Sequence, residues 1–566
     1  NIRKFYCYIV TTTPNHIKIN FKINFNINYP VYWNLASTPS MFPESALSND
    51  ITYGNNRALL NWYYVDPVLN QNITTTPPNL RNNKESQSNH YTRTVLIPEL
   101  FPNRETPSTL TTRMTVMNLS YYPTERGPYN LDAAGMDEYG NLKNPAQRWG
   151  GIMRKLDVTD FETSNIEYIE FWMMDPFIYS DGTDTGGDLY FNLGDISEDI
   201  LKDGKKFFEH GLPIDDDPAK VDTTVWGVVP RTQSTVTAFD NTAGARAKQD
   251  VGLNGLPTEK ELQFPTYRNY VDAVLAKVNA ETRQKMADDP FSPINDPGGD
   301  NYRFYRNASY DRQEADILAR YKRFNGTEGN SPDASGSSET YTTTATTIPD
   351  NEDINNDNTL NEYERYYQYR VQIRPDKMVV GSNYITDKIT SNVRLENGNI
   401  EAVSWYQFKI PLREYESKIG NIRNFKSIRF IRMFMTNFEK EKHLRFGTLD
   451  LVRGEWRSYT KALYEAGKTP ISDGKLDVQS VNIEENSEKS PVNYILPPGV
   501  TRQTDPGQPM VLQQNEQSML LRVTNLAPED AKAVYKNTAF DMRQYKRLQM
   551  FVHAEKLIND AYNLRD

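Results

Sequence analysis

The sequence predicts a mainly β chain: a β-sandwich or jelly-roll-like domain interrupted by a helical and loop insertion, followed by a truncated second copy. Three observations predict it. The aromatic fraction is 12%, and 35 tyrosines supply most of it; tyrosine suits half-exposed strands, where a ring packs and a hydroxyl meets water. Short strand-like runs punctuated by Gly and Pro flank residues 195–350 on both sides. The helical spacings gather between them. At 566 residues the chain is too long for one ordinary core and implies several domains.

Residues 1–41 read as an atypical, low-complexity segment. His16 to Tyr29 (H-I-K-I-N-F-K-I-N-F-N-I-N-Y) alternates at the strand period of two. A membrane-barrel strand alternates in this way, but a single strand cannot hide its edges in lipid. Residues 42–109 are a loop-rich lead-in with one helical or turn-like piece, Asn55 to Tyr64.

From residue 110 to 466 the sandwich pattern is continuous. Strands are expected at Thr111–Tyr122, Arg148–Leu156, Ile166–Pro176 and Asp188–Gly194, with a turn at Thr124–Asn130 marked by Gly127 and Pro128. Val271, Val274, Leu275 and Val278 then fall at helical intervals within Tyr270–Met286, and Ser309 is the expected N-cap of a helix ending at Tyr321. Asn330–Thr347 is an exposed loop by composition. Strands resume in Y-Y-Q-Y-R-V-Q-I, S-W-Y-Q-F-K-I-P-L, K-S-I-R-F-I-R-M-F-M and H-L-R-F-G-T-L-D-L-V-R-G-E-W. Residues 467–566 are a linker and the start of a second β domain: Ser518–Leu526 echoes Arg113–Ser120, and Arg543–Glu555 echoes Ser164–Asp175. With no initiator methionine and a second copy cut short, the sequence is expected to be a fragment of a longer chain.

Charge and motifs narrow the function. The 64 basic and 74 acidic residues leave a net charge of −10 with no long basic run, so nucleic acid is not an expected partner. The lone Cys7 excludes an internal disulfide framework and a cysteine-ligated zinc cluster. No run of 18 apolar residues marks a membrane-spanning helix. The five histidines sit beside no nucleophile motif, and His443, in the charged run E-K-E-K-H, reads as solvated. Carboxylates are abundant, yet nothing singles out a glycosidase pair. The chain is therefore not expected to be an enzyme. Ser404–Phe408 (S-W-Y-Q-F) could form a sugar-stacking face, although alternation favours core.

One constellation is dense. Asp353 to Glu364 (D-I-N-N-D-N-T-L-N-E-Y-E) approaches the rhythm of a twelve-residue calcium loop. Asp353, Asn355 and Asp357 would supply side-chain oxygens, Thr359 a backbone carbonyl and Glu364 two closing oxygens. Asn358 stands where such loops carry glycine, and it is the residue that best tolerates a left-handed turn after glycine. The competing reading is a polar connector leading into a strand. A structural calcium is the one cofactor the sequence suggests.

Several stretches together carry a resemblance: Phe42–Tyr63 (F-P-E-S-A-L-S-N-D-I-T-Y-G-N-N-R-A-L-L-N-W-Y), Glu125–Asn130 (E-R-G-P-Y-N), Arg148–Arg154 (R-W-G-G-I-M-R), Phe171–Phe177 (F-W-M-M-D-P-F) and Asp188–Pro213, followed by E-D-I-N-N-D-N-T-L-N-E, I-P-L-R-E-Y-E-S-K-I-G and T-L-D-L-V-R-G-E-W-R. The chain resembles the SprA/Sov family of gliding-motility and type IX secretion proteins of Bacteroidota. The resemblance implies a segment of a very large outer-membrane β-barrel translocon, located at the bacterial outer membrane and cell surface. Its implied partners are folded cargo proteins bearing a C-terminal secretion signal, a PorV-type shuttle and a plug protein. Within this reading a calcium loop would be structural. The alternatives from the residues alone are a surface carbohydrate-binding jelly-roll module and, more weakly, a carbohydrate-active enzyme.

Overall fold

The computed structural model describes residues 2–10, 22–105, 112–232, 236–324, 348–454, 456–459, 461, 463, 474–487, 494–502, 513, 515–527, 530–536 and 549–556. Its principal strands are β1 (Ile2–Val10), β2 (Lys22–Asn26), β3 (Asn34–Leu35), β4 (Ala58–Tyr64), β5 (Met117–Arg126), β6 (Trp149–Lys155), β7 (Ile166–Met174), β8 (Gly187–Asp195), β9 (Arg365–Ile373), β10 (Ile385–Arg394), β11 (Ile400–Pro411), β12 (Ser417–Ile419), β13 (Phe430–Thr436), β14 (Lys442–Gly454), β15 (Lys475–Asn482), β16 (Gln517–Thr524) and β17 (Gln549–Lys556).

Two antiparallel sheets form the main body. One runs β10-β11-β7-β14-β5-β4, with β2 also on β14; the other runs β12-β9-β8-β13-β6-β3. Successive strands β5, β6, β7 and β8 alternate between the sheets, and β13 and β14 return to lie between the earliest pairs. That interleaving is the double Greek key of a jelly roll. It explains why strands far apart in sequence meet: β8 pairs β9 from Gly187↔Ile373 to Asp195↔Arg365, across the whole insertion.

The core lies between the sheets. Phe171 of β7 stacks on Phe408 of β11 at 4.7 Å and meets Phe191 of the opposite sheet at 5.7 Å. The glycine pair after Trp149 has a packing reason: a Cβ at Gly150 would lie 2.9 Å from Leu60 Cβ and 3.0 Å from the Tyr121 ring, both on the facing sheet. Gly150 thus lets the two sheets close at that point. Every residue of β8 and β13 is buried, as expected of strands covered on both faces. Tyr406 and Phe408 of β11 belong to this interior, whereas Trp405, also fully buried, packs in a separate apolar cluster with Leu100, Phe101 and Trp172.

The sequence reading and the structure differ at several elements. Asn55–Tyr64, expected to be helical or turn-like, is a turn at Asn55 and Asn56 that follows the 3-10 turn Ile51–Gly54 and leads straight into β4. Leu59, Leu60, Trp62 and Tyr63 are all buried there, so the strand has apolar surroundings on both faces and shows no alternation. Residues set apart as a low-complexity end contribute to the sandwich from Lys22 onward, because β2 pairs β14 and Trp33 is buried against it. The single helix expected over 270–286 is two, α1 (Pro265–Lys277) and α2 (Ala280–Asp288), since the Asn279 side chain caps a new start by accepting from Thr282 N. Likewise Asn307 and Asp316, not Ser309, cap two short helices, α3 (Ala308–Arg312) and α4 (Ile317–Tyr321). The loop expected at 330–347 lies outside the described residues.

The C-terminal echo has a structural counterpart. A four-stranded sheet runs β15-β16-β1-β17. In it β16 and β17 flank β1 antiparallel, as β5 and β7 flank β14. The part of the second echo before Gln549 lies outside the described residues.

Candidate functional site

The acidic loop picked out in the sequence lies where the insertion returns to the sandwich. It runs beside the segment that leaves β8, and the two are laced by carboxylates accepting backbone N–H groups. Glu198 accepts from Asn355 N and Asn361 N, each at 3.2 Å. Glu352 accepts from Ile200 N at 2.8 Å and Phe207 N at 3.0 Å. Asp199 accepts from Asp203 N at 3.1 Å and Gly204 N at 2.9 Å. Burial holds Glu198 up at about 7, with the charges of Asp353 and Asp357 adding to it. Burial and the charge of Asp199 push Glu352 well above the carboxylate range.

Within the loop, Asp353, Asn355, Asp357 and Thr359 are brought into one turn. Asp353 accepts from Asp357 N at 3.0 Å and Asn358 N at 2.7 Å, while Asn355 also accepts from Asp357 N at 2.8 Å. Asp357 accepts from both the N–H (2.9 Å) and the hydroxyl (2.5 Å) of Thr359. Asn358 takes the left-handed conformation, φ +66°, as the motif requires. Glu364 goes elsewhere. Its carboxylate is gripped by both ends of the fully buried Arg432 guanidinium at 3.1 and 2.8 Å, and it also accepts from Ser197 N at 3.0 Å. Arg432 in turn donates to Asn192 at 2.9 Å. Asp195, at the end of β8, binds Arg365 and Arg429, and Arg429 reaches Asp357 at 3.6 Å. The loop oxygens are thus divided among amides and guanidiniums, an arrangement that clamps the insertion's return to β8, β9 and β13.

A second seam was not singled out for chemistry by sequence. At the end of β5, Arg126 donates to the carbonyls of Asp296 and of Pro297, the latter at 2.7 Å. Tyr129 N donates to Gly298 O at 2.7 Å, and the Tyr129 hydroxyl accepts from Leu253 N at 2.7 Å. The turn E-R-G-P-Y-N therefore grips the insertion. Gly127 is needed at this close approach, since a Cβ there would lie 2.5 Å from Ala58 O. Among the described residues, the carboxylates that converge as a group of three are Glu261, Asp296 and Asp300 in this seam. The signal was D-P-G-G-D (Asp296–Asp300), two acids bracketing a tight glycine turn.

His443, read as solvated, is buried at 5% exposure. Its Nδ1 lies 2.9 Å from Ser120 Oγ, and Tyr91 and Tyr122 pack on the ring at 4.7 and 5.8 Å. The last residue of the charged run, Lys442, is the first of β14, and the strand carries the imidazole into the sheet.

A jelly roll whose insertion is stapled at both ends by buried charged groups defines a β-sandwich scaffold. Comparison with known families narrows this: residues 269–565, more than half of the chain, match SprA_N, described as a motility related/secretion protein. The chain belongs to that family. Comparison with curated proteins found no match.

Proposed function

We propose that the chain is a segment of the outer-membrane protein translocon of a type IX secretion system. There it serves as a non-catalytic scaffold for export of folded cargo to the cell surface and for gliding motility. Family membership carries the reading. The fold supports it, because a stapled sandwich is a rigid platform on which a PorV-type shuttle, a plug and passing cargo can be positioned. The Ser120–His443 pair supports a non-catalytic role: both are buried, and burial pushes the imidazole down to about 3. The glycan-binding alternative loses its aromatic face, since Trp405 and Phe408 are core. The test is an in-frame chromosomal deletion of residues 110–460, with the shortened protein verified at normal level in the outer membrane. Cargo trapped behind the outer membrane and lost gliding are the expected outcome. Unchanged surface cargo and gliding would contradict the proposal.

A further inference from the structure

We propose that Glu261, Asp296 and Asp300 form a calcium site that fixes the turn by which the sandwich grips the insertion. Glu261 ends the short helix Thr258–Glu261, and Asp296 and Asp300 bracket the D-P-G-G-D turn. One carboxylate oxygen from each lies within 4.8 Å of the other two, the spacing of ligands around an ion held at about 2.3–2.6 Å. All three side chains are buried.

The independent observation is at Asp296, which is fully buried. Its Oδ1 accepts from Gly299 N at 3.0 Å and the Asn301 backbone N–H also faces the carboxylate, but no donor comes within hydrogen-bond distance of its Oδ2. A buried carboxylate oxygen without a donor is costly, and a cation supplies the missing partner. The neighbouring cations do not take that place. Arg126 directs its hydrogen bonds to the carbonyls of Asp296 and Pro297, and Arg126 and Arg323 act on Asp296 through charge alone. Burial, together with the mutual repulsion of the acids, pushes Glu261 and Asp300 upward.

The surroundings are shaped for a small hard ion. The Asn254 amide bridges Glu261 and Asp300, the latter at 3.3 Å, holding both carboxylates in place. A Cβ at Gly298 would lie 2.3 Å from Glu261 Oε1, and one at Gly252 would lie 2.4 Å from Asp300 Oδ2. Those glycines let backbone approach the cluster. The donors are oxygen only, which selects hard cations. Magnesium keeps several waters and sheds them reluctantly, whereas calcium accepts an all-protein oxygen shell. All three acids come from the insertion, so the ion would fix the D-P-G-G-D turn that Arg126 and Tyr129 of the sandwich grip.

The test uses the full 566-residue chain, stripped with EDTA and compared in millimolar calcium, in millimolar magnesium and in EDTA. Calcium at about a hundred times its dissociation constant should raise Tm by about 2 °C, and magnesium should give less than half of that gain. Asp296→Asn should abolish the calcium gain while melting no lower than wild type in EDTA, because it removes a repelling charge. Asp357→Asn should keep the gain. Tyrosine-sensitised terbium emission, excited through Tyr129 and Tyr267, should appear on the wild type and vanish in Asp296→Asn. A Tm identical in calcium and EDTA would overturn the proposal. So would an equal gain with magnesium, or a gain lost in Asp357→Asn and kept in Asp296→Asn.

Discussion

His443 shows how far a single side chain can depart from its local context. Four charged residues, Glu439 to Lys442, precede it and suggest water, yet the ring is enclosed by Tyr91, Tyr122 and Ser120. Local composition reports the hairpin turn; which residue first enters the sheet depends on pairing with β5, where His443 faces Ser120. The burial has a pH consequence. The unfolded chain takes up the imidazole proton near 6.5 and the folded chain only near 3. The contribution is therefore complete above 6.5 and is lost as pH falls through that window. Relative to His443→Gln, wild type should lose about 2 kcal/mol of stability between pH 7 and pH 5, read by urea denaturation of both proteins. Parallel pH curves for the two would contradict the assignment.

At the scale of elements, the strands of the jelly roll were largely legible and the N-terminal additions were not. β6, β7 and β8 appear within a residue or two of their expected limits, because buried aromatic and β-branched runs bounded by Gly and Pro leave little choice. β4 was missed because it is buried on both faces, and periodicity cannot separate such a strand from a buried helix. The acidic loop was recognised as a tight oxygen-rich turn. Its last member, however, depends on Arg432, 68 residues further along the chain, which no local pattern shows. Glu198 and Glu352, which lace the same seam, carried no signal at all beyond acidity. The loop's structural role can be measured in EDTA, away from any metal. Glu364→Ala leaves the buried Arg432 without its carboxylate and should cost about 3–5 kcal/mol. Asp357→Ala, at a half-exposed pair 3.6 Å long, should cost about 1 kcal/mol or less. Equal losses in urea denaturation would mean that Glu364 does not anchor the insertion's return.

For the whole molecule, the topology follows from the sequence only after long-range pairing is known. Alternation and turns imply a sandwich, but the placing of β14 between β5 and β7 rests on contacts some 300 residues apart. The recurrence of that arrangement around β1 gives the C-terminal echo a physical meaning, two copies of one sheet plan in a single chain. Family membership and this repeated plan are the support for the proposal that the chain is one segment of a larger secretion protein. The most direct test is an immunoblot of fractionated cells of the source organism, using an antibody raised against residues 110–460. A single band several times heavier than 65.2 kDa, confined to the outer membrane, is the predicted result. A soluble band near the mass of this chain would contradict the account.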